Sequence, residues 1–158
     1  MFQVGDRIAH PMHGAGIVRE IVQQRVDGQD CNFYSVEMTT GSMRVLVPCD
    51  PCGGLVVRAI LTPEEAQDVL ERIPDLDASN IQNWNQRYRE NMLKIKSGDL
   101  LQVAEVIKSL TARDRRRGLS TGERKLLTCA RSNLISELCM SLNAEASQVE
   151  KLLDRALK

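Results

Sequence analysis

The hydrophobic pattern of this chain changes near residue 60, and that change limits the folds open to it. Before this point, short runs rich in β-branched residues alternate with turn signals, and the runs cover residues 4–9, 16–26, 32–38 and 43–48. From Thr62 onward, apolar residues recur every three or four positions, which is the period of an amphipathic helix. We therefore predict an α+β chain in which a small β module precedes a compact helical domain.

The β-rich part is short for the number of strands that it holds. Asp27-Gly28 has the composition of a tight hairpin turn between the second and third runs. A second turn signal, Thr40-Gly41-Ser42, separates the third run from the fourth. Four or five short strands within about sixty residues favour a strongly bent barrel of the SH3 or Tudor kind.

Capping signals locate the helices. Thr62 is a suitable N-cap for the first helix. Pro63 suits the first position of that helix, and Glu65 completes a capping box with Thr62. The polar stretch 74–80 then breaks the pattern, so we place a boundary there, between a module of residues 1–72 and a helical domain of residues 76–158. Four further helices are expected: one containing Trp84, one from Asp99 to Gly118, one opened by a capping box at Ser120 and Glu123, and one that starts between Asn143 and Ser147.

The net charge of zero hides two halves of opposite sign. Residues 1–75 contain 6 Lys and Arg against 11 Asp and Glu, whereas residues 76–158 contain 15 against 10. The excess is largest between Ser79 and Arg131, with 12 basic residues against 5 acidic ones. The second half is therefore the natural candidate for a polyanion partner.

Composition also indicates a compartment. No apolar run is long enough to span a membrane, and the first residues lack the layout of a signal peptide. The five cysteines are an odd number, and Cys129 and Cys139 fall in helical patterns rather than in a disulfide framework. We expect a cytoplasmic protein without a membrane partner, acting as a monomer.

The single tryptophan, Trp84, lies among arginines in the stretch 83–89. It shares a helical stripe with apolar residues, which on pattern alone favours a core position. Arg87 and Asn91 put polar groups on the same face, which favours an exposed ring. We interpret the ring as a nucleic-acid contact. The stripe contains Ile81, Trp84, Tyr88, Met92 and Ile95, and the predicted phosphate contacts are Arg87, Arg89, Arg124 and Lys125.

Two short motifs contain residue types that occur in metal, redox or catalytic sites, but the further side chains that such sites need are not found at suitable spacing. Cys49 and Cys52 have the spacing of half a zinc site or of a redox pair, yet no second pair of this kind occurs. The loop of His10 and His13 has no suitably spaced carboxylate or nucleophile beside it. No phosphate-cradling loop or nucleophile elbow occurs either. We therefore expect no enzyme, no metal and no other cofactor.

Seven short stretches of the sequence form a set whose order and spacing together are quite specific, although no single one is decisive. They are Val4–Asp6, Pro11–Gly16, Met43–Pro48, Asn83–Tyr88, Ser97–Asp99, Val103–Val106 and Leu119–Leu126. In these stretches, and over nearly its whole length, the chain resembles the CarD/CdnL family of bacterial transcription regulators.

The resemblance implies a Tudor-like module that binds the β subunit of RNA polymerase, and a helical domain that contacts promoter DNA with little sequence preference. It also implies that Trp84 wedges into the minor groove at the upstream edge of the transcription bubble and thereby stabilises the open promoter complex. Family relatives carry arginines at the positions of Gln24 and Leu46. The polymerase contacts expected here are Arg25, Met43, Arg44 and Leu46.

The rival interpretation is a free-standing, sequence-specific repressor that uses residues 100–138 as a helix-turn-helix. Such a protein needs a recognition helix with base-reading side chains, usually on a dimer. Thr121-Gly122 offers little for reading bases. A structural adaptor without any DNA contact is a third alternative. A footprint on one operator in the absence of polymerase would favour the repressor, and the absence of any effect on DNA would favour the adaptor.

Overall fold

The computed structural model of the protein describes residues 2–39, 43–49, 57–78 and 81–158. Within these ranges, five strands precede five α-helices, which confirms the predicted α+β class. The strands are β1 (Arg7–His10), β2 (Gly14–Val26), β3 (Gln29–Met38), β4 (Arg44–Pro48) and β5 (Arg58–Ala59). The helices are α1 (Pro63–Arg72), α2 (Trp84–Lys96), α3 (Leu100–Arg117), α4 (Thr121–Leu142) and α5 (Ala146–Ala156).

The strands form one antiparallel sheet in the order β4-β3-β2-β1-β5. The predicted hairpin turn is confirmed, because Asp27 and Gly28 both have positive φ, at 51° and 79°, between the paired residues Val26 and Gln29. Among the described strands, β4 lies at one edge of the sheet. An edge strand has backbone N–H and C=O groups without a partner in the sheet, and these can pair with an extended segment of another protein.

The opening strand is shorter than predicted. It begins at Arg7 instead of Val4, because the chain turns at Gly5, whose φ is 96°. That turn is held by a hydrogen bond from the Gly5 backbone N–H to the carbonyl of Val18. The apolar side chain of Val4 is consequently exposed.

The helices share one core, and α1 belongs to it. Ala66, Val69 and Leu70 of α1 are buried in the same cluster as apolar residues of α3, α4 and α5. The predicted capping box of Thr62 and Glu65 is formed at the start of α1. The division into residues 1–72 and 76–158 stays a prediction, but this packing favours a boundary before α1.

The sheet lies directly against α4. Asn133 Nδ2 donates to the carbonyl of Pro11 at 2.9 Å, and Ser136 Oγ accepts the backbone N–H of Ala15 at 3.1 Å. Arg58 of β5 donates from both Nη atoms to the two carboxylate oxygens of Glu137, at 2.6 and 2.8 Å. These long-range bonds fix the orientation of the helical part relative to the sheet.

No helix in the described ranges has both the length and the apolar character needed to cross a membrane. Within those ranges no group of three or more His, Cys, Asp or Glu side chains could hold a metal ion. Cys49 follows β4 as a free thiol, whereas Cys52 lies outside the described residues, as does the turn 40–42. The predicted Cys49–Cys52 motif therefore stays untested.

A candidate nucleic-acid interface around Trp84

Trp84 is the first residue of α2, and its ring is not part of the core. The Asn83 side chain caps the helix by accepting the backbone N–H of Gln86 at 3.0 Å. The indole is 43% exposed and stacks on Tyr88, with ring centroids 5.1 Å apart and planes inclined by 15°. The exposed ring expected for a nucleic-acid contact is present, while the contact itself stays a prediction.

The N–H group of the indole is hydrogen-bonded to Ser120, the N-cap residue of α4. Trp84 Nε1–H donates to Ser120 Oγ at 3.1 Å. The same oxygen accepts the backbone N–H of Glu123 at 3.2 Å and donates to Glu123 Oε1 at 3.3 Å. A serine hydroxyl has one donor and two acceptor positions, so this one is fully used. Ser120 is thus both the N-cap of α4 and the tether of the ring.

The N-terminus of α4 lies against the two rings. A Cβ placed on Gly122 would be 3.7 Å from the Tyr88 ring and 3.8 Å from the Trp84 ring, which is ordinary van der Waals contact. The helix therefore approaches the rings closely at a residue without a side chain. The backbone of α4 at Gly122 thus lies beside both rings, while Trp84 remains partly exposed to solvent.

The Arg87 side chain is buried in an ion pair with Glu123. Only 5% of Arg87 and 2% of Glu123 is exposed. Arg87 Nε and Nη2 donate to the two oxygens of Glu123, at 2.8 and 3.1 Å, and Nη1 donates to the carbonyls of Ile81 and Gln82. The predicted phosphate contact of Arg87 stays untested, and we leave Arg87 out of the proposed contacts because its guanidinium is already bonded inside the protein.

Two local departures from the predicted helices are found beside this ion pair. The fully buried residues of α2 are Arg87, Asn91 and Ile95, while Tyr88 and Met92 of the predicted stripe are partly buried against the core and Ile81 lies before the helix begins. At the start of α4, Ser120 caps the backbone as predicted, but the carboxylate of Glu123 faces Arg87, so the predicted capping box is only half formed. In both cases the buried charge pair replaces the arrangement that local pattern favours.

The pKa of the Glu123 carboxyl is lowered from its ordinary value, first by the hydrogen bonds from Arg87 and further by the Arg87 charge, against the opposing effect of burial. The carboxylate therefore stays ionised at neutral pH. An ionised Glu123 keeps the pair with Arg87 and the bond from Ser120 intact.

The other predicted phosphate contacts are exposed. Arg124 and Lys125 lie in the first turns of α4, two and three positions after Gly122, and Arg124 Nε donates to the carbonyl of Leu119 at 3.2 Å. Arg89 is five positions after Trp84, which corresponds to about 140° around the α2 axis. The structure thus brings two exposed cations close to the ring support and places Arg89 on a different side of α2.

The same geometry argues against the helix-turn-helix alternative. A recognition helix presents its N-terminal side chains to base edges in the major groove. Here the first turn of α4 is covered by the Trp84 and Tyr88 rings at Gly122, and Glu123 is buried. At positions 122 and 123 the side chain is therefore absent or turned inward, and the exposed Arg124 and Lys125 that follow are suited to phosphates, which carry no sequence information.

On the sheet, three of the four predicted polymerase contacts lie together. Arg44 and Leu46 are on the edge strand β4, Met43 directly precedes it, and all three are exposed. The fourth, Arg25, pairs with Asp30 near the hairpin tip, whereas Arg44 pairs with Glu37. Those two partners are seven positions apart on β3, so the arginines are about 23 Å apart along the strand.

Comparison with known proteins covers both parts of the chain. The family model for the CarD-like/TRCF RID domain matches residues 2–60, and the model for the CarD C-terminal domain matches residues 68–154. A protein of Bacillus subtilis (strain 168) named "Putative transcription factor YdeB" is 31% identical over 138 residues, which is 87% of this chain and 90% of that relative. The matches therefore include the sheet, the Trp84 site and the helical core.

Proposed function

Because the chain belongs to the CarD/CdnL family of transcription regulators, we propose that it binds the β subunit of RNA polymerase together with promoter DNA and stabilises the open promoter complex. In this proposal Trp84 is a wedge in the minor groove at the upstream edge of the transcription bubble. The observation that carries the proposal is that the indole is exposed, stacked and tethered at the same time.

A wedge needs a flat apolar surface whose orientation is set before binding. Apolar side chains that insert between base steps stabilise distorted DNA, since they replace part of the lost base stacking. Stacking on Tyr88 and the bond to Ser120 hold the Trp84 ring in one orientation, so binding does not have to order it.

The free energy expected from stacking a DNA base on the Trp84 ring is large enough for a regulatory effect. Stacking of a base on an aromatic side chain contributes about 1–3 kcal/mol. A difference of about 1.4 kcal/mol is a factor of ten in an equilibrium constant. If the indole makes this contact only in the melted promoter, it shifts the balance of closed and open complexes about tenfold by differential affinity.

Exposed cations supply the part of DNA binding that does not depend on sequence. Arg89, Arg124 and Lys125 are exposed, and arginine and lysine neutralise phosphates without reading bases. Such contacts position the ring on any promoter, which agrees with little sequence preference.

The polymerase contact is assigned to β4. Extended segments of a partner commonly add to an exposed sheet edge, with side-chain pockets supplying specificity. Arg44 is held near the sheet by a bond to Ser35 Oγ at 3.2 Å and by the carboxylates of Glu20 and Glu37, yet half of its side chain is exposed. Leu46 is 44% exposed on the same strand. Arg25 is left out of this surface because of its distance from β4.

In the full-length protein, Leu46→Glu should weaken capture of the β subunit and leave binding to DNA alone unchanged. Ile21→Glu is the matched control, since Ile21 is also an exposed apolar residue of the sheet but lies on the inner strand β2. Equal losses of capture in the two variants would contradict the assignment to β4.

The wedge is tested with Trp84→Ala by measuring the melting temperature and the open-complex lifetime on the same variant. A buried aromatic ring would cost about 3–5 kcal/mol on truncation. Because the ring is half-exposed, the melting temperature should change little, while the lifetime shortens and polymerase binding persists. Trp84→Phe should retain part of the effect, since area matters more than the N–H. A large drop in melting temperature would show that Trp84 is a core residue and would contradict the proposed wedge.

A further inference from the structure

A cavity of about 340 Å³ lies beside the buried Arg87, on the side of α2 that faces the last turns of α3. Its wall includes Asn91 of α2 and Arg113, Arg116 and Arg117 of α3. The volume is at the lower end of the range of about 300–1,000 Å³ that is typical of small-ligand pockets. Neither the polymerase contact nor the Trp84 wedge uses this cavity.

Two hydrogen-bond donors in the cavity wall have no partner. Asn91 is 3% exposed, and its Nδ2 makes no hydrogen bond; Arg113 Nε is buried and likewise without one. A buried donor without a partner costs about 1–3 kcal/mol, more when it is charged. Both donors are covered by neighbouring atoms, but their residues line one cavity from two different helices, so an acceptor bound there would satisfy them after a small shift of either side chain.

The charge of the wall defines that acceptor. Four arginines line the cavity, and among the described residues that line it there is no carboxylate. Glu123 is bonded to Arg87 and also lies within the electrostatic range of Arg113, so this one carboxylate offsets about one of the four arginine charges. The C-terminal end of α3 contributes an opposing dipole equivalent to only about half a charge. The balance strongly favours an anion.

We propose that this cavity binds a phosphoryl group. Guanidinium N–H groups match phosphate oxygens in geometry, and the amide of Asn91 adds a neutral donor at the inner end. A phosphoryl group offers three oxygens to donors that arrive from two helices, which a planar carboxylate with two oxygens does not. The inference goes beyond the proposed function, because it holds whether or not Trp84 touches DNA.

Binding is measured on the full-length protein by following the side-chain N–H signals of Asn91 and Arg113 in ¹⁵N NMR spectra. Inorganic phosphate is titrated at constant ionic strength, with chloride as the reference anion. Both signals should shift saturably with phosphate and remain in place with chloride. Shifts that do not saturate, or that are equal for the two anions, would overturn the proposal.

Variants test the location. Arg113→Gln and Asn91→Leu should each weaken phosphate binding about tenfold, since each removes a donor that bonds an anion. Arg115→Gln is the matched control, because Arg115 is an exposed cation of the same helix that does not line the cavity. If Asn91→Leu does not fold, the comparison of Arg113→Gln with Arg115→Gln decides alone. Equal phosphate affinity in those two variants would overturn the site.

The same variants distinguish a DNA phosphate from a free phosphate-bearing molecule. Arg113→Gln and Arg115→Gln lose the same charge, so a greater loss of DNA affinity in Arg113→Gln, together with displacement of DNA by phosphate from the wild type, assigns the cavity to the DNA backbone. Equal DNA affinity combined with loss of phosphate binding only in Arg113→Gln assigns it to a free ligand.

Discussion

The guanidinium of Arg87 and the carboxylate of Glu123 form a buried pair that joins the beginnings of α2 and α4, through hydrogen bonds of 2.8 and 3.1 Å. The Ser120 hydroxyl donates to the same carboxylate and accepts the indole N–H of Trp84. The orientation of an exposed ring thus depends on a buried interaction between residues that are 36 positions apart.

Removal of either member of this pair should destabilise the protein strongly. Glu123→Ala leaves the Arg87 charge buried without its partner, and such changes cost about 3–5 kcal/mol. Urea denaturation measures the free energy of unfolding. The exposed pair of Arg72 and Asp68 on α1 provides the control, since Asp68→Ala should cost less than about 1 kcal/mol. Similar losses in Glu123→Ala and Asp68→Ala would show that breaking the buried Arg87 pair costs no more than breaking an exposed pair.

Local signals account for the parts of the fold that could be predicted. The Asp27-Gly28 turn and the Thr62 cap are each specified within a few residues, and both are formed. The helix boundaries at Asp99 and Gly118 likewise follow from a capping side chain and from a positive φ of 77°.

The Trp84 site could be predicted only in part, because its geometry depends on long-range pairing. Helical periodicity placed an arginine on the stripe of Trp84, but nothing local to Arg87 identifies Glu123 as its partner. The spacing of Arg87, Asn91 and Ile95 at i, i+4 and i+8 was the available signal that these residues share the buried side of α2. The hydrogen bonds of Ser120 with Trp84 and of Glu123 with Arg87 were not predicted, because both residues fit an ordinary capping box.

His10 should make the stability of the protein depend on pH. Burial, and next the neighbouring His13, lower the pKa of His10 from 6.5 to about 4. Its Nδ1 accepts the backbone N–H of Met12 at 3.1 Å, which requires an unprotonated nitrogen. The unfolded chain therefore binds the proton first. The stabilisation is complete above pH 6.5 and is lost progressively as the pH falls toward 4, by an amount on the order of 3 kcal/mol.

The measurement is the free energy of unfolding between pH 4 and 7. His10→Asn keeps a hydrogen-bond acceptor near the Nδ1 position and cannot titrate, so its stability should be nearly flat from pH 7 to about 5, where the wild type already declines. Below that, the lowered pKa of Glu123 makes both proteins lose stability. An unchanged slope in the variant would assign the pH dependence to other groups.

We expect each of three single variants to weaken DNA binding by a factor that does not depend on the DNA sequence: Arg89→Ala, Arg124→Ala and Lys125→Ala. Each removes one phosphate contact, so the slope of log affinity against log salt should become shallower by about 0.9. Arg25→Ala has the same loss of charge at the hairpin tip and should leave the slope unchanged. A loss of affinity that depends on the DNA sequence would indicate base reading at the mutated position.

Ser120→Ala should show how much the orientation of the indole matters, because the variant keeps the Trp84 ring but removes the hydrogen bond that orients it. The substitution removes the acceptor for Trp84 Nε1–H and the N-cap of α4, which costs about 1 kcal/mol of stability. Because Trp84 is the only tryptophan of the chain, its fluorescence anisotropy reports the mobility of this ring directly. The anisotropy should fall and the open-complex lifetime should shorten, while Ser120→Thr, which keeps the hydroxyl, should retain both.

The matched control for Ser120→Ala is Asp99→Ala. Asp99 caps α3 by accepting the backbone N–H of Leu101 at 3.0 Å, so its removal costs a comparable amount of stability and touches no bond of the indole. Asp99→Ala should lower the melting temperature about as much as Ser120→Ala, but leave the anisotropy and the open-complex lifetime as in the wild type. If both variants shorten the lifetime equally, helix stability and not the tether of Trp84 sets the effect on the open complex.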